Sequence, residues 1–264
     1  MSAPPAGSAG AAAARRIGFI TPSSNTVVEP VATAIARDCP GVSVHFARSR
    51  VVQISLGDEA SEQFQRDNLL AAAALLADAR ADVVAWNGTA ASWLGFEADE
   101  RLCQAIAERH GIAATTSVLA INEVLRARRI DRIGLVTPYV AAVQERIVAN
   151  YRDAGIECVA ERHLEQTDNY GFAEVSPGQI TSMVAEVAAA PERPQAVVLM
   201  CTNLAGAPLV ERLEGDHDCL VLDSAAVTVW KTLALAGVEV GGINGWGRLF
   251  REPLSEAAAS RRGP

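Results

Sequence analysis

The sequence predicts an α/β protein of two pseudo-symmetric lobes, each a mainly parallel sheet flanked by helices, with a cleft between them. Three observations carry this prediction. Arg16-Ile17-Gly18-Phe19-Ile20-Thr21-Pro22 recurs as Arg132-Ile133-Gly134-Leu135-Val136-Thr137-Pro138, an offset of 116 residues. Asp82-Val83-Val84-Ala85-Trp86-Asn87-Gly88-Thr89 is answered by Ala196-Val197-Val198-Leu199-Met200-Cys201-Thr202, with the two Thr 113 residues apart. Two segments repeated at similar offsets signal duplicated lobes. The third observation is the alternation of short Val/Ile-rich runs with longer Ala/Leu/Glu/Arg-rich stretches, the pattern of βα units around parallel sheets.

Residues 1–14, rich in Ala, Pro, Gly and Ser, lack the basic start and apolar segment of a secretory signal and read as a disordered tail. Strands are expected at 17–21, 42–47, 83–86, 133–137, 157–162, 196–200 and 219–222. Helices are expected at 61–79, 99–110, 117–128, 140–154, 176–190, 207–214 and 224–236. Ser176-Pro177 strengthens one of those starts, with a capping residue followed by proline at the first helical position. Strands apolar over consecutive residues are buried on both faces, so helices must cover both sides of each sheet. Lobe one is expected to span 15–119 together with 225–250, the chain crossing back to it after Ser224; lobe two spans 120–224, and 251–264 forms a C-terminal tail.

Half of the 264 residues are hydrophobic and a fifth are charged, and no run approaches the ~18–20 apolar residues of a membrane span. This composition describes a soluble globular protein without a membrane partner. The net charge of −8 argues against nucleic acid as a partner, since such binders present a basic face. Small anions remain suitable ligands, because backbone N–H groups at helix starts make a site locally positive. Five cysteines, an odd number without a close CxxC pair, suit a reducing cytosol and a cytoplasmic location. Four scattered histidines offer no metal-ligand spacing.

In parallel sheets ligands collect outside the carboxyl ends of the strands. All four repeated segments run into polar or small-residue turns at that end: Thr21-Pro22-Ser23-Ser24-Asn25-Thr26, Asn87-Gly88-Thr89-Ala90, Thr137-Pro138-Tyr139 and Cys201-Thr202-Asn203. Cys201 is the candidate catalytic residue. At a strand end near backbone N–H groups, a cysteine exchanges a proton with carbon or attacks an electrophile; a buried cysteine also serves as a small hydrophobe. Cys39, Cys103, Cys158 and Cys219 read as packing. Ser23 and Asn25 are candidate carboxylate ligands, and the same run reads equally as a helix cap and turn. Gly88 and Thr89 offer backbone and hydroxyl from beside them, Tyr139 offers a phenol, and Asn169 lies in a polar loop suited to closing over a ligand. Thr202 follows Cys201. Trp86 and Trp93 flank the Gly88 turn as pocket wall or core.

Together these residues resemble the aspartate/glutamate racemase superfamily, and within it the branch of maleate cis-trans isomerases and arylmalonate decarboxylases. The resemblance covers roughly Arg16 to Phe250. It rests on Thr21 to Pro30, the Asn87-Gly88-Thr89 turn, Thr137-Pro138-Tyr139 and Cys201-Thr202-Asn203. It implies an enzyme without cofactor or metal, acting on a small carboxylate, and is compatible with a homo-oligomer. Racemases of the superfamily set a cysteine from each lobe on opposite faces of the substrate. Here Gly88 stands at the first of those positions and only Cys201 remains. Glycine first and cysteine second is the arrangement of the arylmalonate decarboxylases, whose lone cysteine protonates the enediolate left when CO2 departs. By position, Thr89 and Tyr139 would supply hydroxyls, the Thr202 N–H would help, and Cys201 would be the acid. Ala90 stands where those decarboxylases carry another hydroxyl, and Asn25 looks like the carboxylate-binding Asn of the isomerases.

The leading expectation is therefore a cofactor-independent carbon-acid enzyme with one cysteine proton donor, decarboxylating a substituted malonate. Cis-trans isomerisation and one-cysteine racemisation are the enzymatic alternatives. A non-catalytic carboxylate-binding module is the alternative from another class.

Overall fold

The computed structural model describes residues 14–57, 63–252 and 254. The first half of the chain forms β1 (Arg15–Pro22), α1 (Val28–Ala36), β2 (Val42–Ser49), α2 (Arg66–Asp78), β3 (Val83–Trp86), the single turn α3 (Ala91–Leu94), α4 (Glu97–His110), β4 (Ala113–Thr116) and α5 (Ser117–Ala127). The second half forms β5 (Arg132–Val136), α6 (Ala141–Asp153), β6 (Glu157–Arg162), α7 (Pro177–Ala188), β7 (Ala196–Leu199), α8 (Val210–His217), β8 (Leu220–Asp223), α9 (Ser224–Leu235) and α10 (Arg248–Arg251). Two 3₁₀ turns, Gly171–Glu174 and Ala207–Leu209, precede α7 and α8.

Each half contributes one four-stranded sheet, in the orders β2-β1-β3-β4 and β6-β5-β7-β8, with every pairing parallel. The two orders are the same permutation. The residues that repeat in sequence are therefore equivalent in space: β1 and β5 are the second strands of their sheets, β3 and β7 the third. In register, Ile20 of β1 sits beside Trp86 of β3, as Val136 of β5 sits beside Leu199 of β7. In each sheet the chain order reverses between those two central strands. That reversal opens a crevice at their carboxyl ends, the place where open α/β sheets hold ligands.

The strands explain themselves by burial. Val83–Trp86, Ala196–Leu199 and Leu220–Asp223 are buried at every residue, and helices cover both faces. Helix starts are locally encoded: Thr116 accepts from the Leu119 N–H at 3.1 Å, Ser176 from the Gln179 N–H at 3.2 Å and Asp223 from the Ala226 N–H at 3.0 Å. Helix α9 runs back across the molecule and packs on α5, α1, β4 and β3.

Among the elements outside the sequence expectation are β4, α1, α3 and α10. Strand β4, Ala-Ala-Thr-Thr, has no Val or Ile and is short; its strand character comes from pairing with β3 rather than from propensity. Helix α1 carries Pro30 at its third residue, tolerated there because N–H groups of the first turn have no intrahelical acceptor. Helix α3 is only four residues long. The helix expected over 61–79 is observed as Arg66–Asp78, with a turn at 63–64; residues 61–62 lie outside the described residues, as do 1–13, 253 and 255–264 of the expected tails.

Asp99, third in α4, is buried, accepts a hydrogen bond from the Thr116 hydroxyl, and is pushed by that burial from the usual carboxylate range to about 7. A raised carboxyl pKa means that the folded protein holds its proton where the unfolded chain has lost it, so stability falls as pH rises from about 4 to about 7. Asp99→Asn is expected to flatten that decline and to gain roughly 1–3 kcal/mol at pH 8. Thermal unfolding of both proteins from pH 4 to 8 checks it; parallel profiles would contradict it.

Candidate active site

The four strand-end turns converge between the lobes. From β1, Asn25 is fully buried; its Oδ1 accepts from the Val27 and Val28 N–H groups, both at 2.9 Å, and turns the chain into α1. Its Nδ2 donates to Thr202 Oγ1 at 3.2 Å, and that hydroxyl donates onward to the Asn87 carbonyl at 3.0 Å. One relay thus links the ends of β1, β3 and β7. Beside it, Thr26 N–H donates to Asn203 Oδ1 at 3.0 Å, and Asn203 Nδ2 donates to the Asn169 carbonyl at 2.5 Å.

Asn169 is buried, with Nδ2 donating to Ser24 Oγ at 2.7 Å. It belongs to a strap from lobe two that pairs antiparallel with residues after β2: Asn169 N–H to Val52 O at 2.9 Å and Ile54 N–H to Thr167 O at 2.8 Å. Ser23 is engaged locally, its hydroxyl contacting the Val51 backbone as donor at 3.3 Å and acceptor at 3.1 Å. Arg48 clamps the same loop, donating to the Ser23 and Asn25 carbonyls at 2.8 and 3.0 Å and pairing with Glu29 at 2.7 Å.

On the other side, Thr89 Oγ1 and Tyr139 OH are 2.7 Å apart across the interlobe boundary, both buried. The Tyr139 ring is held edge-on by Trp93 and Phe172, at centroid distances of 5.3 and 5.5 Å. Its hydroxyl lies close enough to Cys201 to favour the thiolate there. Burial raises the phenol well above its ordinary pKa, so Tyr139 is a neutral donor.

Cys201 lies just beyond β7, 2% exposed. Burial pushes its pKa up to about 11, even though Tyr139 and the Asn203 and Leu204 N–H groups favour the thiolate; the buried Asp223 carboxyl raises it further. Burial therefore favours the thiol over the thiolate at neutral pH, and a thiol in such a setting is chemically able to give a proton.

The structure thus brings Cys201 beside the hydrogen-bonded Tyr139–Thr89 pair, and Asn25, Thr202 and Asn169 into the adjoining interlobe network. Gly88 lies between Asn87 and Thr89, in the turn that links the two. Sequence reasoning passed over Asn203, which ties the Asn169 strap to the β1 loop; its place in the Cys-Thr-Asn run was the available signal. It also passed over Arg48 and the Asn87 amide, which is fully buried with neither Oδ1 nor Nδ2 hydrogen-bonded within the described residues.

The family model for arylmalonate decarboxylase matches residues 17–250. The chain belongs to the arylmalonate decarboxylase family. Within this family's wider circle it is 29% identical over 253 residues to the maleate isomerase of Nocardia farcinica, covering 93% of this chain and 99% of that protein. It is 27% identical over 173 residues to the arylmalonate decarboxylase of Bordetella bronchiseptica, covering 65% and 72%. Among solved structures, a cysteine-to-serine mutant of the Nocardia farcinica maleate cis-trans isomerase with a covalently bound succinylcysteine intermediate superposes with a TM-score of 0.81. It is 27% identical, covering 90% of this chain and 99% of that one. A crystal structure of arylmalonate decarboxylase gives 0.72 at 26% identity, covering 90% and 100%. The two-lobed α/β fold of this family member is thus shared with both enzymes. No helix among its described residues is long and apolar enough to cross a membrane.

Proposed function

We propose that this protein is a cofactor-independent decarboxylase of a substituted malonate, with Cys201 as its single proton donor. The observation that carries the reading is Cys201 beside the hydrogen-bonded Thr89–Tyr139 pair, while Gly88, its counterpart in the first-lobe repeat, has no side chain. The retained carboxylate is held by the Thr89 and Tyr139 hydroxyls and the Thr202 N–H, with Asn25 and Asn169 holding the two lobes together around it and Ser23 fixing the β1 loop. Loss of CO2 leaves its electron pair on the α-carbon, spread into that carboxylate as an enediolate. Preorganised donors in a water-poor site stabilise this charge more than they stabilise the starting carboxylate, by roughly 3–4 kcal/mol for a strong donor. The Cys201 S–H bond then breaks, its proton goes to the α-carbon, and the thiolate is reprotonated from solvent. The whole site lies between lobe one, 15–119 with 225–250, and lobe two, 120–224, and five free cysteines suit a reducing, cytoplasmic setting.

A second reading, cis-trans isomerisation of maleate, is favoured by the similarity to maleate isomerases over 93% of the chain. It requires a thiolate to add to the double bond. The resemblance puts that nucleophile at the first-lobe position, where this chain has Gly88, and burial favours the thiol over the thiolate at Cys201. The acid reading predicts a rate that holds through neutral pH and falls only as the thiol ionises. Iodoacetamide labelling of Cys201, followed by mass spectrometry, is expected to accelerate toward pH 11; a labelling midpoint below about 8 would favour the nucleophile.

Proton NMR with maleate and 2-methyl-2-phenylmalonate in the same tube separates the reactions. The expected product is 2-phenylpropionate. Fumarate alone would move the assignment to isomerase, and persistence of both compounds would favour a different substrate or the binding module.

A further inference from the structure

We infer that Trp86 keeps this a one-thiol site, by filling the volume that a side chain at position 88 would need. The inference rests on the reading of Cys201 as proton donor and concerns the face opposite to it. Trp86 ends β3 as Leu199 ends β7, and Gly88 follows Trp86 by two residues as Cys201 follows Leu199. Both offsets are the same, 199 − 86 = 113 and 201 − 88 = 113. In lobe two the strand-end residue is an aliphatic side chain and the position beyond it carries a thiol.

In lobe one the strand-end residue is an indole that lies over its own successor. A Cβ built on Gly88 falls 2.2 Å from Trp86 Cε2 and Cζ2 and 2.6 Å from Nε1. Contacts that short do not occur, and the obstacle is a rigid bicyclic ring that is itself 1% exposed. Any residue but glycine at 88 must displace the ring.

The indole also lines a cavity of about 430 Å³, with Phe64, Ala90, Leu94, Asp99 and Leu102 on its other walls. Trp86 thus borders both the Gly88 turn and that cavity, and a smaller residue at 86 frees volume beside Gly88. The pair Trp86/Gly88 is thus a coupled device: it excludes a second acid–base group from the face opposite Cys201, confines protonation to one face, and makes Gly88→Cys alone insufficient to create a two-thiol site.

The test is a mutant cycle read in two ways. Thermal unfolding of wild type, Gly88→Ala, Trp86→Val and the double variant is expected to show Gly88→Ala lowering Tm by roughly 4–10 °C beside Trp86, and changing it by less than about 2 °C beside Val. Trp86→Phe serves as the milder truncation should the Val variants fail to fold. The second readout is loss of the methine proton of each enantiomer of 2-phenylpropionate in D2O. Gly88→Cys alone is expected to exchange no faster than wild type, and Trp86→Val/Gly88→Cys at least about tenfold faster than the single Cys variant, two thiols on opposite faces being able to remove and return the proton. Equal tolerance of Gly88→Ala in both backgrounds, or equal exchange by the single and double Cys variants above wild type, would overturn the inference. The thermal coupling without exchange or turnover by any variant would leave the steric exclusion standing and refute the proton-transfer reading of the site.

Discussion

Cys201→Ser is expected to lower kcat for decarboxylation by roughly 10²–10⁴, the usual worth of a positioned acid, with little change in KM. The swap is nearly isosteric at a residue 2% exposed, so Tyr139 and the Asn203 and Leu204 backbone, which favour an anion at position 201, keep their places around it. What changes is acidity. A thiol at about 11 protonates an enediolate faster than an alcohol several units weaker in the same apolar surroundings. CO2 loss itself is assigned to the hydroxyl and N–H donors, so the variant should still bind the malonate. Steady-state kinetics with circular dichroism and Tm as folding controls check this; a variant keeping more than a tenth of wild-type kcat would remove Cys201 from the mechanism.

The second large effect belongs to Tyr139. Tyr139→Phe keeps the ring between Trp93 and Phe172 and removes only the hydroxyl that sits 2.7 Å from Thr89. The expected loss is roughly 10²–10³ in kcat, that of one oxyanion-hole donor. Thr89→Val should cost less. Because the two hydroxyls are hydrogen-bonded to each other, the double variant should fall well short of the product of the two losses. A purely structural role for Tyr139 would show instead as a lowered Tm with additive kinetics. A further sign separates the cases: the phenol favours the Cys201 thiolate, so in Tyr139→Phe the labelling midpoint of Cys201 should move upward.

Much of the site was legible because the repeats coincide with strand ends. Thr21-Pro22 and Thr137-Pro138 close β1 and β5, and Gly88 and Cys201 follow β3 and β7; a parallel sheet sends those four turns to one edge, so position along the chain becomes position around a cleft. Strand β4 escaped because Ala113-Ala114-Thr115-Thr116 is made a strand by its neighbour, not by its own residues. The cap that starts α1 is legible in the polar run before it, although the helix itself is not among the expected elements; Asn25 does both jobs, its Oδ1 starting the helix and its Nδ2 reaching Thr202. The role of Trp86 was not legible at all. Its apolar strand context fits core and pocket wall alike, and only the direction of the indole across Gly88 distinguishes them. The Asn203 link to the Asn169 carbonyl joins residues 34 apart in sequence and is likewise a property of the folded chain.

The central claim is that one thiol delivers one proton to one face. Its most direct test is the stereochemistry of decarboxylation in D2O of 2-methyl-2-phenylmalonate, whose product becomes chiral only when the deuteron arrives. The account predicts 2-phenylpropionate with one deuterium at the α-carbon, formed as a single enantiomer by the wild type and not above background by Cys201→Ser. A racemic deuterated product, or undiminished formation of one enantiomer by Cys201→Ser, would contradict it.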